Sequence, residues 1–438
     1  MKKVGLLLSC ALTAFGAAND TFFIRNVDVY PVSGKEMNGV SVLVQDGKIA
    51  EIGKLTPAKG IKIVEGKGLR VYPGMIDSAT NLGLGEIESI RESVDTGEIG
   101  EFMPQLKALS AVNPESEHLG VVRVNGITSA ITMPGATGGR GGGARQFISG
   151  TAAMIHLSGY TWEEMEVSRA AAIQLNFPTI GGRGGRGGGV PAEVADLFGG
   201  DAGNTANARR TYDEGIKKIN DFFDEARRYK AAKVAKLAGM KVDLKLEAMI
   251  PVLDGKVPVA VSAASAESIH DAILFGDRQH VRIVILGPRE VGPFLPELKQ
   301  RNIPVVLGRV LALPQHEDDS YDDAMTLAGR FYKAGVKIAF GTFTNQFVRN
   351  LPFEAANAVA FGLPQEEALK AVTINPAEIW GLSDKIGSVE RGKYADLLIT
   401  NGDPLDVRTK IEHLYIKGQE VPLTNKQTRL YEKYLGRQ

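Results

Sequence analysis

The sequence predicts an α/β protein: a parallel sheet of repeated strand–helix units fills the middle of the chain, and short antiparallel hairpins occupy both ends. Three observations carry this expectation. Across the middle of the chain, apolar runs of strand length alternate with stretches of helical periodicity. Residues 21–71 are cut into brief alternating runs by turn residues, including Asp46-Gly47, which supplies the positive φ of a tight hairpin. The 438 residues, 44% of them hydrophobic, suffice for one barrel-sized core with an accessory domain.

The chain opens with Lys2 and Lys3, an apolar run over residues 4–15, and Gly16-Ala17-Ala18. These are the charged, apolar and small-residue regions of a secretory signal cleaved after Ala18, so residues 1–18 are expected to leave an exported, periplasmic or extracellular protein. The apolar run is too short to span a membrane. Cys10, the only cysteine, lies inside it, so the mature chain has no thiol for disulfides or cysteine zinc sites. Leu7-Leu8-Ser9-Cys10 also reads as a lipobox, although its apolar region would be unusually short. The 51 basic and 51 acidic residues balance; losing two lysines and no acid leaves 49 against 51. Nothing in that balance favours a nucleic acid as partner.

Strands are expected over 23–29, 40–44 and 48–52, then over 71–76, where a buried run opens at Asp77. Further strands are predicted at 127–133, 152–157, 257–261, 282–286, 304–307 and 337–340, with helices at 162–174, 266–275, 322–334, 352–361 and 364–373. A polar stretch over 209–236 carries Ile216, Ile219, Phe222, Phe223 and Ala226 at helical spacing, an amphipathic insertion covering the barrel. Its mixed charges speak against a membrane-surface role. Two glycine-arginine tracts, 138–145 and 181–189, read as flexible loops, the first near the end of a strand. Brief and without interleaved aromatics, they lack the stacking platform of a single-strand binder.

Pro73-Gly74-Met75-Ile76-Asp77 resembles the first barrel strand of the metal-dependent amidohydrolase superfamily, where this run leads into a His-x-His pair. Gly387-Ser388-Val389-Glu390-Arg391-Gly392-Lys393-Tyr394-Ala395-Asp396-Leu397 resembles the same superfamily. The stretch from Glu366 to Ala377 resembles the terminal barrel helix of its imidazolonepropionase-like members. The resemblance implies a (β/α)8 TIM-like barrel over residues 73–385 and a small β-sandwich made from both ends, 19–72 and 386–438. It also implies one or two divalent metals, typically zinc. Carried over position by position, the five metal ligands fall on Ala79, Asn81, Ser262, Leu286 and Phe343. Ala79, Leu286 and Phe343 have no donor atom, and Asn81 and Ser262 offer only neutral oxygens, which hold zinc poorly. No metal is therefore expected, and the five residues mark a pocket.

The six histidines show no paired ligand spacing. His156, at the end of a predicted strand, is the most site-like of them and stands as a weak candidate beside its plainer reading as a hydrogen-bonded structural residue. The acidic run at 317–323 precedes a helix whose positive end it would stabilise; a loose Ca²⁺ or Mg²⁺ site is the other reading. No nucleophile elbow or phosphate loop is present. Two functions stand. One is an exported, non-catalytic protein that binds a small molecule or supports a catalytically complete relative in a hetero-oligomer. The alternative is a hydrolase of carbon–nitrogen bonds other than peptide bonds, working through a site outside the five positions. A third class, binding nucleic acid through the arginine-glycine tracts, runs against the neutral charge.

Overall fold

The structure, a computed structural model, describes residues 21–87, 89–135, 146–178, 202–290, 292–314 and 319–437. The apolar opening segment with Cys10, both glycine-arginine tracts and part of the acidic run lie outside the described residues. Among the described residues, no helix is long and apolar enough to cross a membrane.

Both chain ends build one sheet. Its strands are β1 (Phe22–Val29), β2 (Met37–Gln45), β3 (Lys48–Gly53), β4 (Lys62–Glu65) and β5 (Arg70–Pro73) from the start of the chain. From its end come β14 (Leu397–Thr400), β15 (Ile411–Ile416) and β16 (Gln419–Glu420). The β2–β3 hairpin turns at Asp46 and Gly47, both at positive φ (51° and 73°), as the Asp-Gly signal requires. The decisive pairing joins the ends: β5 runs antiparallel to β14, with Val71 opposite Ile399. Phe22 of β1 also stacks on Tyr415 of β15 at 4.3 Å between ring centroids. These strands enclose an apolar core that includes Val42, Ile49, Val71 and Leu397.

One residue after β5 the chain enters the barrel. Its eight strands lie in sequence order around a second sheet: β6 (Met75–Thr80), β7 (Ile127–Thr132), β8 (Ile148–His156), β9 (Glu166–Asn176), β10 (Val259–Ser262), β11 (Ile283–Leu286), β12 (Val305–Leu307) and β13 (Ile338–Phe340). The interior is packed, with Ile76, Ile131, Met154, Ala260, Val284 and Val306 in one cluster. Ile379, the last residue of the short helix Ile374–Ile379, and Trp380 after it join that cluster, and Trp380 reaches Ser78 at 3.4 Å. The polar insertion forms the helix Ala202–Val234, which buries Ile219, Phe223 and Ala226; Phe223 meets Phe275 edge to face at 4.9 Å.

The expectation of a uniformly parallel sheet needs correction. β8 runs antiparallel to both β7 and β9, and the helix predicted over 162–174 is a single turn, Trp162–Met165, followed by the strand β9. Glutamate and alanine in that stretch favour a helix locally. All nine residues of β8 are buried, however, and Ala152 sits opposite Ala172 across the ladder. Pairing with a fully buried neighbour outweighs a propensity worth a few tenths of a kcal/mol per residue.

Candidate functional site

In a barrel of this kind the strand C-terminal ends form the mouth, and ligand sites gather there. The last strand closes onto the first around the Asp77 side chain. Asp77 is fully buried, and its Oδ1 accepts from the backbone N–H of Ala79 and of Thr342, both at 3.1 Å. Its Oδ2 lies 2.5 Å from the Thr342 hydroxyl, and the Phe343 N–H donates to the Ala79 carbonyl at 2.7 Å. Burial pushes the Asp77 carboxyl up to about 7, against the opposing pull of the Thr342 and Ala79 hydrogen bonds. Both carboxylate oxygens are thus engaged in holding the barrel shut.

Of the five positions carried over from the resemblance, Ala79, Asn81 and Phe343 lie at this seam, while Ser262 and Leu286 end β10 and β11. Phe343 has φ +57°, a left-handed conformation costing roughly 1–2 kcal/mol for a residue with a side chain. Its ring lies beside the two glycines that follow β11 and β12, Gly287 and Gly308, where an added Cβ would meet it at ordinary contact distances of 3.8 and 3.7 Å. The ring packs against the interior cluster containing Ala79 and Leu286.

A polar network missed in the sequence crosses the mouth from β8 to β10. Asn176 Nδ2 donates to the Gln146 carbonyl at 3.2 Å and to Ser149 Oγ at 2.9 Å. A backbone carbonyl accepts only, so the Asn176 oxygen must face Gln174, whose Nε2 donates to it at 3.3 Å and to Ser262 Oγ at 2.8 Å. This fixes the Gln174 amide with Oε1 buried and unpartnered; Asn81 Oδ1 is in the same condition. The signal lay in the alternation of 172, 174 and 176, hidden by reading the stretch as helix.

His156 is placed elsewhere. Because β8 is antiparallel, its C-terminal end lies at the floor of the barrel, where His156 Nε2 meets Asp396 Oδ2 at 2.9 Å and the ring contacts Tyr394 edge to face. It ties the barrel to the terminal sheet and is far from the five mouth positions. From the acidic run, Asp323 pairs with Arg330 and Asp322 accepts from Ser320, a helix-start arrangement. Among the described residues, no three His, Cys, Asp or Glu side chains gather into a metal site.

The sequence profile of the amidohydrolase family matches residues 280–421. The crystal structure of an amidohydrolase from Thermotoga maritima superposes with a TM-score of 0.76 at 27% identity, over 92% of this chain and 99% of that one. The chain belongs to the amidohydrolase superfamily. Amidohydrolase tasK of Hapsidospora irregularis is 23% identical over 86% of this chain, a match that spans 39% of its own length. The imidazolonepropionase of Thermoplasma volcanium is 38% identical over 89 residues, 20% of this chain and 21% of that enzyme. Asn81, Gln174, Ser262 and Phe343 lie at the mouth of this barrel.

Proposed function

We propose that this amidohydrolase-superfamily chain is an exported protein that binds a small neutral molecule at the barrel mouth and does no metal-dependent hydrolysis there. The observation that carries this reading is Phe343, held in a strained backbone with its ring between Gly287 and Gly308. Strain of that kind persists where the surroundings over-determine it. The divalent metal of the family does not fit the donor set: Ala79, Leu286 and Phe343 have no ligand atom, Asn81 and Ser262 are neutral, and both Asp77 oxygens are engaged. The unpartnered oxygens of Asn81 and Gln174 suit a ligand with N–H groups, and the Ser262 hydroxyl, accepting from Gln174, keeps its own proton to donate. Neither a nucleic acid nor a membrane enters this reading; support of a catalytically complete relative does.

The second reading, a hydrolase of non-peptide carbon–nitrogen bonds, draws equal support from the names of the relatives, which include an N-substituted formamide deformylase. It requires donors from elsewhere, and His316, Glu317 and Asp318, which follow β12, lie outside the described residues. One experiment separates the two. Protein purified without chelator should carry well under one equivalent of zinc, iron or manganese and should not hydrolyse amides or cyclic amides when metal is added. Stoichiometric metal with chelator-sensitive turnover overturns the proposal. Intact mass of material recovered from the periplasm should correspond to cleavage after Ala18; a mass including Met1 removes the export component.

A further inference from the structure

Beside the segment that carries Phe343, a cavity of about 300 Å³ opens against the helix Glu117–Arg123 and the start of the C-terminal helix Lys426–Leu435. His118, Asn345, Phe347, Arg349 and Gln427 line it. Asn345 is 2% exposed, and its Nδ2 donates to the Gly85 carbonyl at 2.6 Å. That carbonyl fixes the amide orientation, so Oδ1 is the free end, buried and without a partner. His118 Nε2 faces the Glu86 carbonyl at 3.2 Å, which places the proton on Nε2 and leaves Nδ1 as a second acceptor.

The opposite character comes from the cavity's other wall. Arg349 has no ion-pair partner among the described residues. Two ten-residue helices begin close by. Leu351–Ala360 starts at Asn350, whose side chain makes no capping bond, and Lys426–Leu435 starts with a reciprocal capping box between Asn425 and Thr428. The positive ends of both helices and the guanidinium favour a negative group.

We propose that this cavity is a binding site, separate from the barrel mouth, for a small carboxylic acid that also carries an N–H group, an α-amino acid or its N-acyl derivative. The carboxylate meets Arg349 and the helix starts; the N–H meets Asn345 Oδ1. The volume, at the lower end of the range for ligand pockets, suits a molecule of that size. Asn345 lies two residues beyond Phe343, and the Thr344 carbonyl between them accepts from the Thr80 hydroxyl at 2.8 Å, so the segment is anchored to the mouth on one side and to this cavity on the other.

The test uses the full chain with L-alanine, N-acetyl-L-alanine, propionate and acetamide as probes, read by calorimetry and by hydrogen-exchange mass spectrometry. At least one of the first two should bind saturably, more tightly than propionate or acetamide, and protect peptides covering 116–122, 345–350 and 425–428. Which of the two binds distinguishes the free amine from the acylated one. Arg349 is exposed, so Arg349→Ala should fold normally and weaken binding about tenfold, with Arg349→Lys recovering part of the loss. Absence of saturable binding by either bifunctional probe overturns the proposal. So does protection confined to the mouth strands, or binding unchanged in Arg349→Ala. Metal content and turnover at the mouth play no part in the readout, so this inference and the proposed function fail independently.

Discussion

Replacing Asp77 by asparagine should remove a pH dependence from stability. In the fold the carboxyl titrates at about 7, against an ordinary value of 3.8. Between those values the folded chain keeps a proton that the unfolded chain has released. Stability is therefore fully present below about pH 4, falls as pH rises, and stops changing above about pH 7. Three pH units of this linkage amount to at most roughly 4 kcal/mol. Asp77→Asn retains an oxygen for the Ala79 and Thr342 N–H groups, and its amide can donate to the Thr342 hydroxyl, which in turn faces the Thr344 carbonyl at 3.2 Å. The variant should lose ground to wild type near pH 4 and match or exceed it near pH 8. Urea denaturation of both proteins between about pH 4 and pH 8 gives the difference curve, in which other titrating groups cancel. A difference that does not vary with pH, or one that grows in favour of wild type as pH rises, would refute the assignment of a raised carboxyl at the seam.

Two further outcomes follow from the same geometry. Phe343→Gly should be more stable than Phe343→Ala by about 1 kcal/mol, since both lose the ring but only alanine keeps the left-handed strain; denaturant midpoints in the reverse order would show that φ is not strained. Truncation at Gly387 should strip β5 of its β14 partner and Phe22 of Tyr415, giving an insoluble or dye-binding protein; a soluble truncation that unfolds cooperatively would show that the ends do not share a core.

The parts of this fold legible in the sequence are those whose signal is local. Asp46-Gly47 announces its hairpin because two successive positive φ angles select those residue types wherever they occur. The buried runs at 283–286, 305–307 and 338–340 read as strands because each is short, apolar and bounded by turns. β9 failed for the converse reason: its conformation is decided by a partner strand, β8, and no window of its own residues records that pairing. The error had a cost at the site. Taking 162–174 as helix ended the element at Gln174 and left Asn176 outside it, so the network that orients Ser262 stayed unseen. It also kept β8 parallel in expectation, which put His156 at the mouth when the reversed strand carries it to the floor beside Asp396. Asp77 is the intermediate case. The motif marked it as the end of a strand, but its role depends on Thr342, a residue 265 positions away, and only closure of the barrel brings the two together. A ligand pattern can be checked by residue type alone, whereas hydrogen bonds across the barrel are written in the register of strands.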